Sequence, residues 1–190
     1  DQNNRLALGL ANVNLNASER ITANHKGSLA VYEQQGAYDP VKGYAYSGGN
    51  LNLRTPLLTG EAGSVNLLKA GNSLTLTSPT GDRTDVADAL GAELNLEARN
   101  VLLDGRIVLA SGKLVVKSEG DVTLTRNAEL DVAGRTLPFN DVKKYSWGGD
   151  GARYSSNGNI RQAAGSRIDL SAVNNQAGNL SAVALATGAG

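Results

Sequence analysis

The chain has no cysteine and no methionine, and only one phenylalanine, one tryptophan and one histidine in 190 residues. Without cysteine there is neither a disulfide nor a thiolate metal site. The single histidine, His25 in "TANHKGS", excludes a multi-histidine metal centre, and a Ser-His-Asp triad would rest on it alone. In that polar turn it reads as a solvated surface side chain. No apolar run approaches the ~20 residues needed to span a bilayer. Eighteen basic residues balance eighteen acidic ones, so no net field draws the chain to nucleic acid or an anionic membrane. Nucleic acid, membrane insertion and a cofactor are therefore not expected. The opening DQNNRLALGL has no basic stretch followed by an apolar one, and SAVALATGAG closes without a cap or charged tail. Both read as cuts in a larger protein.

What remains to build a core is small and aliphatic, with 26 leucines in the lead. That suits thin, layered β-structure better than a globule packed around rings. The leucines come in doublets one residue apart: Leu74 and Leu76, Leu94 and Leu96, Leu114 with Val116, Leu130 with Val132. Secondary doublets such as Val65 with Leu67, Val101 with Leu103 and Val122 with Leu124 lie between them. Each doublet is a period-2 signal with one strand face buried. Gly, Asn, Ser and Asp between doublets tolerate tight corners. Three successive doublets keep a spacing of twenty residues, which marks an all-β chain wound as a β-solenoid whose coils stack at ~4.8 Å. Six to eight coils fit, and Leu96 is expected between Leu76 and Val116 in one inward ladder. An antiparallel sandwich also gives short strands at 8–12-residue spacing, but the constant register and the lack of Asn-Gly turns between those three doublets favour the solenoid. Residues 85–98, "DVADALGAELNLEA", would pass as a short helix on propensity; the twenty-residue register assigns strand from Glu93 onward. Nineteen asparagines, among them Asn72, Asn100, Asn127 and Asn179 at doublet ends, are suited to amide ladders at the corners.

The alternation "GNLNLRTPLLTGEAGSVNLLKAGNSLTLTS" followed by "GAELNLEARNVLLDGRIVLASGKLVVKSEGDVTL" resembles the filamentous haemagglutinin-like exoproteins of Gram-negative two-partner secretion systems. The resemblance covers residues 48–132 and 158–185 and rests on repeat style, not on an invariant motif. It implies a right-handed parallel β-helix, an outer-membrane pore partner during secretion, and a secreted or cell-surface location. It also implies a long adhesin that meets a host or bacterial surface glycan or protein. Some relatives instead carry toxins that inhibit neighbouring bacteria on contact, and a stalk in such a system is an open alternative. The amino-terminal secretion domain of such families is not evident, so residues 1–190 read as one internal β-helix segment.

The monotony breaks twice. All eight aromatic residues fall in "YEQQGAYDPVKGYAY" and "FNDVKKYSWGGDGARY". Neither window alternates; the first holds Pro40, and Pro138 directly precedes the second. They read as insertions over 32–47 and 135–157 where a turn would otherwise close a coil. Tyr and Trp offer rigid area with a polar tip, suited to sugar rings or a protein partner. The candidate ligand-binding residues are Tyr38, Tyr44 and Tyr46 in the first window and Tyr145, Trp147 and Tyr154 in the second. Gly148, Gly149 and Gly151 are expected to leave the second set little cover; the competing reading folds the rings onto the solenoid flank.

Catalytic chemistry finds no foothold. A polysaccharide-processing β-helix enzyme needs acids or bases converging on one strip, yet Thr75, Asn95 and Val115, or Thr77, Glu97 and Lys117, repeat no carboxylate. Asp82, Asp85 and Asp88 read as a solvated loop. "GGDG" (148–151) is a single copy of a pattern that binds calcium only in tandem. An enzyme is not expected.

Overall fold

The computed structural model describes residues 4–79, 89–139, 142–145 and 148–185. These residues are all-β, without a helix, and therefore without one long and apolar enough to cross a membrane. Three parallel sheets carry the alternating segments. The first has seven strands, Asn4–Gly9, Lys26–Tyr32, Val65–Ala70, Glu93–Ala98, Lys113–Ser118, Gly151–Ser156 and Leu180–Ala184. The second has six, Asn12–Asn16, Asn50–Arg54, Ser73–Thr77, Asn100–Asp104, Val122–Leu124 and Ile160–Gln162. The third has five, Ile21–Ala23, Leu58–Gly60, Arg106–Val108, Glu129–Asp131 and Arg167–Asp169. Spatial order in each sheet is chain order, and the chain visits first, second and third sheet in turn before returning to the first, except after Ser73–Thr77, where the next described strand, Glu93–Ala98, is again in the first sheet.

The doublets form strands because alternation gives each segment one apolar face, and the pairing stacks those faces. In the first sheet Leu29, Leu68, Leu96, Val116 and Tyr154 stand in one register column. In the second, Leu53, Leu76, Leu103 and Leu124 do the same, and in the third, Leu58, Ile107, Leu130 and Ile168. Leu96, Val116, Leu76 and Leu103 are fully buried. The columns converge on one narrow core, completed by Ala92, Ala98, Ala128 and Ala152.

The expected ladder is half correct. Leu96 does face Val116, twenty residues on. Its other neighbour is Leu68, whereas Leu76 lies in the second sheet between Leu53 and Leu103. Leu130 likewise belongs to the third sheet, beside Ile107. The physical reason is that three strands in every circuit share one alternation, so a spacing of twenty can join strands of different sheets. The Val65–Leu67 doublet has the opposite phase as well: Leu68 and Ala70 take the inward register, and Val65 is exposed.

One sheet skips a step. Leu58 and Thr59 pair directly with Ile107 and Val108, although the first and second sheets each place a further strand, Val65–Ala70 and Ser73–Thr77, between the same two circuits. Thr59 Oγ1, buried there, donates to the Val108 carbonyl at 2.7 Å.

Both insertions are antiparallel hairpins. Gln34–Asp39 pairs with Gly43–Ser47 between the first- and second-sheet strands of one circuit. Thr136–Phe139 pairs with Val142–Tyr145 at the end of another. The second insertion is shorter than 135–157, because Gly151–Ser156 is a strand of the first sheet. Its alternation is hidden by residue type: Ala152 and Tyr154 face inward opposite Leu114 and Val116, and Ser156 continues the small residues Ala98 and Ser118. The glycines before it serve close packing. Gly149, at φ +68°, lies so near the Gly112 backbone that a Cβ would fall 2.1 Å from its carbonyl oxygen.

Asparagines at the corner bridge successive circuits. Asn50 Nδ2 donates to Asn12 Oδ1 at 3.0 Å, Asn72 Nδ2 to Asn50 Oδ1 at 2.7 Å, and Asn52 Nδ2 to Asn14 Oδ1 at 2.9 Å. Further along, Asn100 Oδ1 accepts the Asp121 N–H at 3.0 Å.

Leu96 tests the packing. Leu96→Ala should cost about 2–5 kcal/mol in chemical denaturation, as a cavity in a core that collapses poorly. Leu96→Asp should cost more, by stranding a charge in a dry stack. Exposed Lys117→Gln should stay within about 0.5 kcal/mol. A melting temperature unchanged by Leu96→Asp contradicts this register.

Candidate binding cleft

The first hairpin is fixed at its base by two rings. Tyr46, near its end, stacks on Tyr32, the last residue of a first-sheet strand, with centroids 4.5 Å apart and planes 19° from parallel. Lys69, on the next strand of that sheet, places its ammonium 5.2 Å from the Tyr46 centroid. Such contacts contribute on the order of 1 kcal/mol each beyond area burial. Burial, with Tyr32 and Tyr44 adding to it, raises the Tyr46 phenol above its ordinary value. The return to the core strand is made by Gly48 and Gly49, at φ +68° and +86°. A Cβ on Gly49 would lie 2.7 Å from the Tyr32 backbone, so glycine is required where the hairpin leaves.

Further out, the register shifts between Gln35 and Tyr38, one extra residue on the first strand. Beyond this bulge Tyr38 stands opposite Tyr44, the two rings edge to face at 5.0 Å and 63°. Tyr38 is 62 % exposed and Tyr44 45 %. The tip, "DPVKG", is tied by Asp39 Oδ1, which accepts the N–H groups of Val41 at 2.7 Å and Lys42 at 2.8 Å. Those bonds, Lys42 first, hold the Asp39 carboxyl below its ordinary range.

The hairpin leans over the outward face of the first sheet and leaves a cleft on either side. One, of about 540 Å³, is lined by Tyr38, Tyr44 and Tyr46 with Arg5, Lys26, Lys42 and Lys69, above a floor of Ser28, Leu67 and Asn95. Among the described residues no acidic side chain lines it. The other, of about 690 Å³, mixes Asp39, Glu97 and Glu119 with Arg99 and Lys117. Lys69 pairs with Glu97 at 3.7 Å, and Lys113 with Glu93 at 3.7 Å, across neighbouring strands. Arg5, Lys26 and Lys42 make no ion pair among the described residues. Asn95 Nδ2 is engaged by the Asn66 carbonyl at 3.3 Å and Glu93 Oε1 at 3.2 Å.

Of the six residues expected at a binding surface, this cleft gathers Tyr38, Tyr44 and Tyr46. Tyr154 is a correction: it is 3 % exposed and part of the core, in register with Val116 and Ala182. Its hydroxyl has no partner among the described residues, and burial pushes the phenol well above its ordinary value. The Tyr145 backbone pairs with Thr136 in the second hairpin, and Trp147 lies outside the described residues, as do Asp82, Asp85 and Asp88. His25 occupies an exposed turn at φ +49°. Arg5, Lys26 and Lys69 escaped sequence reasoning, because single outward residues within strands carry no signal until the hairpin is seen to cross them.

No protein-family model, curated protein or solved structure matches the chain.

Two measurements probe the hairpin. In a double-mutant cycle of Tyr32→Ala and Tyr46→Ala, followed by native-state hydrogen exchange at Glu33 N–H, which donates to the Ser47 carbonyl, the coupling should be about 0.5–1.5 kcal/mol. Additive losses would mean that the stack does not anchor the arm. For Asp39, a depressed folded pKa means that tip order is fully present above the unfolded value of 3.8 and is lost as pH falls through the lower folded value. The Val41 and Lys42 amide resonances should titrate together with a midpoint below 3.8; a midpoint at or above it contradicts the capping.

Proposed function

We propose that the chain is a segment of a right-handed parallel β-helix in a secreted bacterial surface exoprotein of the filamentous haemagglutinin-like kind. Its role is structural and adhesive: a stiff stalk presents an aromatic hairpin to a glycan or protein on a host or bacterial surface. The winding through three parallel sheets in turn supports the stalk. Parallel crossovers are right-handed in about 98 % of cases, which supports the hand. The repeat style supports the secretion route, through an outer-membrane pore partner. A non-enzymatic role fits the first cleft, where the ionisable groups of the lining residues are cations and phenols and no carboxylate stands ready as an acid or base.

The observation that carries the reading is the edge-to-face pair Tyr38–Tyr44. Two large rings are held in solvent on an arm whose base is stacked and whose tip is capped. An arm needed only for stability would turn these rings inward; preorganised exposed rings favour capture, since little side-chain freedom is lost on binding.

The test is adhesion of the full chain to intact cells and to a printed glycan array. Tyr38→Ala and Tyr44→Ala should each weaken binding about thirtyfold, the scale of a ~2 kcal/mol interface anchor. Replacing residues 34–47 by a Gly-Asn turn should abolish binding and leave cooperative melting in place. Undiminished adhesion without the hairpin would refute the proposal.

A further inference from the structure

We infer that the cleft beneath the first hairpin takes a linear acidic saccharide whose chain runs across the strands of the first sheet, one sugar to each strand. The inference rests on the binding role proposed above and adds the class and direction of the ligand. Charge gives the class. The chain as a whole is neutral, yet among the described residues this cleft is lined by four cations and no acid. Among the described residues only Lys69 of the four makes an ion pair, with Glu97 at 3.7 Å, and Lys42 lies in the field of Asp39 at the hairpin tip. A neutral glycan leaves such a set unanswered, while carboxylates or sulfates on a sugar chain neutralise it.

Register gives the direction. Arg5, Ser28, Leu67 and Asn95 form one outward column on four successive strands. Lys26 stands in the neighbouring column on one flank and Lys69 in that on the other; on the Asn95 strand the same two columns hold Glu93 and Glu97, paired with Lys113 and Lys69 at 3.7 Å each. Adjacent strands are ~4.8 Å apart, close to the advance per residue of an extended β-1,4-linked pyranose chain. Such a chain is a twofold ribbon that points its pendant groups alternately to either edge. A ribbon laid along the column therefore offers one acid to Lys26 and the next to Lys69, with Tyr38 and Tyr44 above to cover its C–H faces.

The experiment is calorimetric titration of the full chain with tetramers of one backbone: β-1,4-linked mannuronate, its neutral counterpart mannotetraose, and O-sulfated mannotetraose. The mannuronate tetramer should bind at least about tenfold more tightly than mannotetraose, and its affinity should fall with added salt. Affinity should rise from dimer to trimer and level off there, because a fourth sugar turns its acid toward Glu93. Lys26→Gln should remove most of the preference for acid and leave mannotetraose unaffected, whereas Lys143→Gln on the second hairpin should change nothing. Binding of the sulfated tetramer alone would keep the acidic class and assign it to sulfate; binding of the carboxylated one assigns it to uronate. Equal binding of neutral and acidic tetramers, lost in Tyr38→Ala, overturns the acidic class while the binding hairpin stands. If no tetramer binds but cells are still held through Tyr38 and Tyr44, the saccharide is wrong and the adhesive reading survives. If cell binding also ignores the hairpin, both fall.

Discussion

The structure depends on one arrangement: backbone pairing between successive circuits, closed around a dry aliphatic column. No circuit buries its own inner face, because each contributes a layer one strand thick; the layer above and the layer below complete it. This explains the composition. An interior enclosed by three short strands has room for Leu, Val, Ile and Ala, and Tyr154 is the one aromatic side chain of the core among the described residues. Its stranded hydroxyl is the cost of placing a ring there.

Corners impose the complementary demand, since the backbone must turn without losing its partners. Small polar side chains meet it by bonding to carbonyls of adjacent circuits. Ser118 Oγ donates to the Arg99 carbonyl at 2.6 Å, and Ser156 Oγ to the Gly120 carbonyl. Asn100 and Asp121 act the other way, their side-chain oxygens accepting the backbone N–H of Asp121 and Asn159 in the next circuit. The asparagines that punctuate the sequence are thus part of the vertical pairing, and they free the outward faces of the strands for charge.

What could be read in the sequence follows from which physics is local. Alternation is local, so the all-β class and the parallel stacking of Leu96 on Val116 were legible. Clustered aromatics marked both hairpins for the same reason, and Tyr38, Tyr44 and Tyr46 were named from it. Sheet membership is not local: Leu76 and Leu96 share the same alternation, one in "GNSLTLTS" and the other in "GAELNLEA", and belong to different sheets. Gly151–Ser156 hid because its inward set is Ala, Tyr and Ser, which reads as loop until Val116 is seen beside it. The lean of the hairpin is set by the Tyr46–Tyr32 stack and by Gly49, so the cations beneath it could not be anticipated from their own neighbours.

The step missing from the third sheet gives the stack a shape. Between the Leu58 and Ile107 circuits, the first and second sheets advance by two strand spacings and the third by one. The difference, ~4.8 Å across the width of the stack, works like the taper of a voussoir in an arch. A stack built so is longer on its first-sheet side than on its third. The hairpin cleft lies on the longer side, across the strands Lys26–Tyr32, Val65–Ala70 and Glu93–Ala98. The surface beneath the tyrosines thus gains one strand of width from a circuit that adds none to the third sheet among the described residues.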